Sequence, residues 1–141
     1  MADQVALLEL VARGKRGVLV TIKSDGRPQL SNIMYGFDGE VVRISVTDSR
    51  AKTRNLRRDP RASLHVTSDD FWSYAVIEGT ADLSPVTTEP EDATSEELVD
   101  LYRSLGGEHP DWDDYRRAMV DEGRLVVRIP IGHLYGMAGS G

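Results

Sequence analysis

The stretch Gly17-Val18-Leu19-Val20-Thr21-Ile22-Lys23-Ser24-Asp25-Gly26-Arg27-Pro28-Gln29-Leu30-Ser31-Asn32 decides the fold. Residues 17–23 alternate, with Val18, Val20 and Ile22 on one face and Leu19, Thr21 and Lys23 on the other, which is the period of a strand. Asp25-Gly26 is a hairpin signal, because the glycine reaches positive φ without steric cost. Residues 28–37 read as the return strand. Asp38-Gly39 repeats the signal, and residues 40–47 read as a third strand with Val42, Ile44 and Val46 facing together.

The pattern continues outward. Residues 61–67 alternate with Ala62, Leu64 and Val66 inward, and Ser68-Asp69-Asp70 reads as a turn. Residues 71–79 read as a fifth strand, which 80–84 continue or follow with a sixth. Residues 124–135 read as the last strand. Helices are expected at 3–13, at a short segment capped by Asp48 or Ser49, after a Thr94/Glu97 capping box and after an Asp111 cap. Gly106-Gly107 and Gly123 close the last two. Six or seven mostly antiparallel strands with flanking helices give a mainly β (α+β) fold, a barrel rather than a doubly wound sheet. At 141 residues the chain reads as one domain over 1–141.

Composition narrows the functions. There is no cysteine, which excludes disulfides, thiolate metal sites and a cysteine nucleophile. A pI of about 5.0 argues against nucleic acid and anionic membrane as partners. Residues 5–12 are apolar but too short for a span, and no signal peptide is visible, so the chain is expected in the cytoplasm. His65, His109 and His133 lack zinc-ligand spacing. The acids at 89–100 and 108–114 read as solvated faces and helix caps. Ser31 has no base near it in sequence, so a hydrolase triad has no support.

Residues 50–61 stand out. They hold six of the 17 basic residues against one acid, Asp59, so the segment carries +5 and the rest of a −6 chain carries −11. The segment fits a solvated surface helix or an anion site. Charge that surrounds Leu56 rather than lining one stripe, and the repulsion among such close cations, favour the anion. Lys52 near the helix start suits a phosphate oxygen, Arg50 can grip it bidentately, and Asn55 adds a neutral donor. Trp72, Tyr74 and Val76, on one face of a strand, offer either packing or a platform for a conjugated ring. Gln29 and Ser31 point one way and Leu30 and Asn32 the other, which reads as an edge strand or a pocket wall.

These motifs together resemble a known family. They are Gly26-Arg27-Pro28-Gln29-Leu30-Ser31-Asn32, Asp48 through Arg61, Trp72-Ser73-Tyr74-Ala75-Val76, Asp111-Trp112-Asp113-Asp114-Tyr115-Arg116 and His133-Leu134-Tyr135-Gly136. The chain resembles the coenzyme F420 (deazaflavin)-dependent reductases of the pyridoxamine 5'-phosphate oxidase-like, FMN-binding split β-barrel superfamily, the actinobacterial B-type subgroup in particular. The resemblance implies a homodimer with cofactor sites at the subunit interface and hydride transfer to an activated double bond of a small conjugated substrate. It implies that Arg50, Lys52, Thr53, Arg54 and Asn55, with Arg57, hold the cofactor's phosphate and polyglutamate tail. Trp72, Ser73 and Tyr74 would lie near the cofactor, and Gln29, Ser31 and Asn32 would flank its ring. FMN-using members carry a basic residue on the second strand, and residues 31–36 here have none. That departure favours F420 over FMN. An FMN enzyme and a non-enzymatic F420 carrier are the alternatives.

Overall fold

A computed structural model describes residues 4–138. It has four helices and nine strands in two antiparallel sheets. The first helix, α1 (Gln4–Arg13), presents Leu7, Leu10 and Val11 to the core. Asp3, the expected start of that helix, lies outside the described residues. Strands β1 (Arg16–Ile22) and β2 (Pro28–Met34) form the first hairpin, with Gly26 at φ 88° in its turn. Strand β3 (Gly36–Phe37) pairs with β4 (Val41–Thr47) across a turn at Gly39, φ 102°. Helix α2 (Ala51–Arg58) follows, then β5 (Arg61–Thr67), β6 (Tyr74–Thr80) and β7 (Asp82–Leu83). The helical pair α3 (Ala93–Gly106) and α4 (Trp112–Asp121) precedes β8 (Arg124–Pro130) and β9 (His133–Met137).

One sheet runs β2-β1-β5-β6-β9 and the other β3-β4-β8-β7. Their inner faces share one core, with Leu19, Leu64 and Ile77 of the first sheet against Val42, Ile44, Leu125 and Ile129 of the second. The alternation read from sequence is the observed burial on β4 and β5: Val42, Ile44 and Val46, and Ala62, Leu64 and Val66, are buried. On β1 the core takes Leu19 and Thr21. Val18, Val20 and Ile22 lie on the outer face with Leu30, Asn32 and Met34 of β2. Among the described residues no helix is long and apolar enough to cross a membrane.

Four local expectations are corrected. The strand expected over 28–37 breaks at Tyr35, whose ring is buried and whose hydroxyl donates to the Val11 carbonyl at 2.6 Å. The strand expected over 124–135 also breaks, after Pro130 at Ile131-Gly132, and passes from one sheet to the other. Proline there has no N–H to continue a ladder, and Gly132 N–H turns to the Glu78 carbonyl instead. The strand expected to start at residue 71 starts at Tyr74. Asp70 Oδ1 accepts from Trp72 N–H, Ser68 Oγ accepts from Ser73 N–H, and Phe71 takes φ 74°, so Phe71 and Trp72 stand in a tight turn. Trp72 therefore does not share a strand face with Tyr74 and Val76.

The caps differ too. Helix α2 starts after Arg50 with no side-chain cap, and Asp48 pairs with Arg57 instead. Helix α3 is capped by Asp92, which accepts from Ser95 N–H, rather than by Thr94. Thr94 Oγ1 donates to the Pro85 carbonyl, and Glu97 binds Arg43 and Arg128. Asp111 caps α4 as expected, accepting from Asp114 N–H, and Gly107 ends α3 at φ 80°.

Candidate functional site

Helix α2 is anchored by Leu56, which is buried, and by two polar side chains that the sequence suggested as ligands. Thr53 Oγ1 donates to the Thr47 carbonyl at 2.8 Å. Asn55 Nδ2 donates to Thr21 Oγ1 at 3.1 Å, and Thr21 Oγ1 donates to Gln29 Oε1 at 2.8 Å. Thr53, Asn55 and Gln29 thus fasten the helix and its hairpin to the barrel. Each of these side chains is bonded within the subunit, Thr53 to the Thr47 carbonyl and Asn55 and Gln29 to the Thr21 hydroxyl.

The cations divide in the same way. Arg57 pairs with Asp48 and Arg61 with Asp59. Arg58 donates to the Ile22 carbonyl and to Asn55 Oδ1, and Arg54 to the Ser49 carbonyl. The side chains of Arg50 and Lys52 have no hydrogen bond or ion pair among the described residues. They stand at the uncapped N-terminal turn of α2, where backbone N–H groups favour an anion. Lys52 is partly buried. Burial first, then the neighbouring Arg50 and Arg124, lower its pKa from the usual lysine value. Both causes are relieved by a bound anion.

Lys52 opens into a cavity of about 360 Å³. Asn32, Ile33 and Met34 of β2 and Ser45 of β4 line it. Leu101, Tyr102 and Leu105 of α3, Tyr115 and Met119 of α4, and Arg124 of β8 close it. Burial pushes the Tyr115 phenol up to about 12, so it stays protonated, and it donates to the Leu98 carbonyl at 3.2 Å. A second cavity of about 460 Å³ lies across β2, between Val18, Met34, His65 and Phe71, and Asn32 lines both.

The predicted residues therefore separate into groups. Lys52 and Asn32 share the first cavity. Arg50, the N-cap of α2, and Arg54 within it are exposed. Ser31 points to the inner side of β2, and its buried Oγ has no hydrogen-bond partner. Trp72, Ser73 and Tyr74 do not line the Lys52 cavity. Trp72 is 78% exposed, and Tyr74 stacks on His65 at 5.6 Å on the outer face of the first sheet. Sequence reasoning missed Ser45, Tyr102, Met119 and Arg124 as neighbours of Lys52. The four-residue spacing of Tyr115 and Met119 was the one visible signal for a shared helix face.

The donor set suits a phosphorylated cofactor. The Lys52 ammonium lines a half-apolar cavity, the unpaired Arg50 guanidinium and the uncapped helix start stand near Lys52, and the buried Ser31 hydroxyl, next to Asn32 in sequence, lacks a partner. Two antiparallel sheets around one core, with a basic helix after the fourth strand, define a split β-barrel. A family model for pyridoxamine 5'-phosphate oxidase matches residues 4–136, and the chain belongs to that family.

Solved structures share the fold. A conserved hypothetical protein, Rv2991, from Mycobacterium tuberculosis superposes with a TM-score of 0.76 at 24% identity, over 98% of this chain and 86% of that one. An F420 reductase superposes with a TM-score of 0.71 at 24% identity, over 96% of this chain and 98% of that one. A heme binding protein from Mycobacterium smegmatis gives 0.70 at 20% identity, over 100% of this chain and 57% of that one. At these identities the likeness concerns the fold.

Proposed function

We propose that the chain is a coenzyme F420-dependent oxidoreductase acting on an activated double bond of a small conjugated substrate. The observation that carries this is the pair Arg50 and Lys52, cations without partners at the uncapped start of α2 and beside a cavity. A phosphate there would meet two charge-assisted donors and free backbone N–H groups. Exposed Arg54 extends the positive surface for a tail of carboxylates. The absence of any Arg or Lys over residues 31–36 weighs against FMN, whose family grip includes a cation on that strand.

When bound, the reduced cofactor supplies a hydride from its ring carbon C5. The chain's part is to bind, to orient and to keep water from the ring. Asn32, Ile33 and Met34 line both cavities, and Asn32 is the polar member of the three, suited to orient a ring that bridges them. A second copy of the chain completes the site in this reading. The outer face of the first sheet exposes Leu30, Met34, Tyr135 and Met137, and Phe71 and Trp72 stand in the turn at its end. Burial of this apolar surface against a second copy would support that reading.

The test is to mix the pure protein with reduced F420 and a panel of enones and quinones, and to follow deazaflavin absorbance. Turnover of at least one acceptor is expected. Absence of both cofactor binding and turnover overturns the proposal, and a preparation that is yellow with tightly held FMN replaces it with the flavin reading.

A further inference from the structure

We propose that the cavity behind Lys52 binds a planar aromatic carboxylate, its carboxylate on the Lys52 ammonium and its ring against Tyr115 and Leu105. The cavity has two unlike halves. At one end Lys52 is a partly buried cation without a counter-charge, which is costly unless an anion arrives. Arg124, beside it, is already engaged: its Nε and Nη2 hold Glu122 and its Nη1 donates to Ser45 Oγ at 3.3 Å. It strengthens the local positive potential and leaves Lys52 as the free donor.

The other half is apolar and rigid. Tyr102 and Tyr115 meet edge to face at 5.0 Å, and Trp112 packs edge-on against both, at 5.5 and 5.6 Å. His109 adds a fourth ring to the cluster. Trp112 is itself held by a bond from its Nε1 to Glu108 and by the Arg103 guanidinium over its ring. The Tyr115 hydroxyl is bonded to the Leu98 carbonyl, which helps to fix the ring that lines the cavity. Such a wall is set before a ligand arrives, which lowers the cost of binding.

Each half excludes a simpler ligand. A free phosphate would leave the aromatic wall uncovered. A neutral aromatic would bury Lys52 further without compensating it. At about 360 Å³ the space suits a bicyclic acid. Binding of the acid does not depend on the F420 reading. Its consequence does: acid and cofactor phosphate both require Lys52, so the acid competes with the cofactor.

The test uses 2-naphthoate, with neutral 2-acetonaphthone as its comparison, titrated into cofactor-free protein by fluorescence. Saturable 1:1 binding of the acid is expected, with the ketone weaker by about tenfold or more. Leu105→Trp, which fills the cavity from a half-exposed position, should weaken the acid by about tenfold or more with an unchanged melting temperature. Lys52→Met should erase the difference between acid and ketone. The proposal is overturned if the acid does not saturate, if the ketone matches it on the wild type, or if both variants bind the acid as the wild type does. In a parallel titration naphthoate should raise the apparent Kd for F420. A protein that binds naphthoate but never F420 retires the cofactor reading and leaves this one standing.

Discussion

Asn55 on α2 donates its side-chain amide to the Thr21 hydroxyl on β1, 3.1 Å away and out of contact with solvent. This bond joins the basic helix to the barrel. Thr21 Oγ1 in turn donates to Gln29 Oε1, and Arg58 donates to Asn55 Oδ1 from the other side. Asn55→Ala leaves the Thr21 hydroxyl short of a donor and Arg58 short of an acceptor. Destabilisation of about 1–3 kcal/mol is expected, read as a lower urea midpoint with an unchanged slope. If Asn55 instead acted on a ligand, the midpoint would stay and cofactor affinity would fall.

That bond also shows what the sequence could and could not disclose. Strands β4 and β5 were legible because alternation of apolar side chains is a local signal with a local cause. The uses of Asn55, Thr53 and Gln29 were not, because their partners lie on other elements and nothing in the composition of α2 announces them. The charge of residues 50–61 was visible. Which cations stay free was not, since Asp48 and Asp59 each neutralise one of them through turns that only the fold sets. The same holds for Phe71 and Trp72. Their propensities favour a strand, but three bonds from the Ser68 and Asp70 side chains fix a turn that ends before β6.

The division among the cations predicts unequal binding effects. Lys52→Ala removes a partly buried, unpaired donor and should weaken F420 binding by about 1.5–3 kcal/mol. Arg57→Ala breaks an exposed pair with Asp48 and should change binding by less than about 1 kcal/mol. Isothermal titration of both variants decides. Equal losses at Lys52 and Arg57 would place the anion along the whole helix instead of at its start.

Leu30 and Met137 lie on the two edge strands of the first sheet, β2 and β9, and each is 59% exposed. If a second copy covers this face, Leu30→Asp introduces a charge into the interface. The dissociation constant should rise about thirtyfold or more, the equivalent of about 2 kcal/mol. Light scattering across a dilution series should then show monomer where the wild type shows dimer. A wild type that is monomeric at all concentrations removes the premise.

Glu97 gives the molecule a pH dependence. Its carboxylate joins Arg128, at 2.5 Å and 2.8 Å, with Arg43 at 3.1 Å, and so ties α3 to β4 and β8. The bond from Arg128 is the main cause that holds Glu97 below the usual carboxylate range. Asp38, bonded first of all to Arg43, is lowered to about 2. Folded values below the unfolded ones mean that this stabilisation is full above about pH 5. It is lost as pH falls through the folded values, down to about 2 for Asp38. Glu97→Gln should lower stability by about 1–3 kcal/mol at neutral pH and flatten the acid limb of the profile. Urea midpoints measured from pH 7 to pH 2 supply the comparison, and an unchanged acid limb would shift the dependence to other carboxylates.

Gly79 sets how closely the two sheets approach at one corner. It sits on β6, where a Cβ would stand 2.3 Å from the Pro130 carbonyl oxygen and 2.9 Å from the Ile129 side chain. The obstacle at 2.3 Å is backbone, so no rotamer change relieves it. Gly79→Ala must push β8 away from β6 at the point where the chain leaves one sheet for the other. A loss of about 1–3 kcal/mol or more is expected, as for overpacking in a filled core. Gly26→Ala is the comparison: it has φ 88° and nothing within 4 Å of the added carbon, so its cost is conformational alone. Ala at Gly26 should cost about 1–2 kcal/mol through the strained φ. Thermal melts of the two variants separate crowding from strain, and a Gly79→Ala protein as stable as wild type would show that the sheets do not close at this corner.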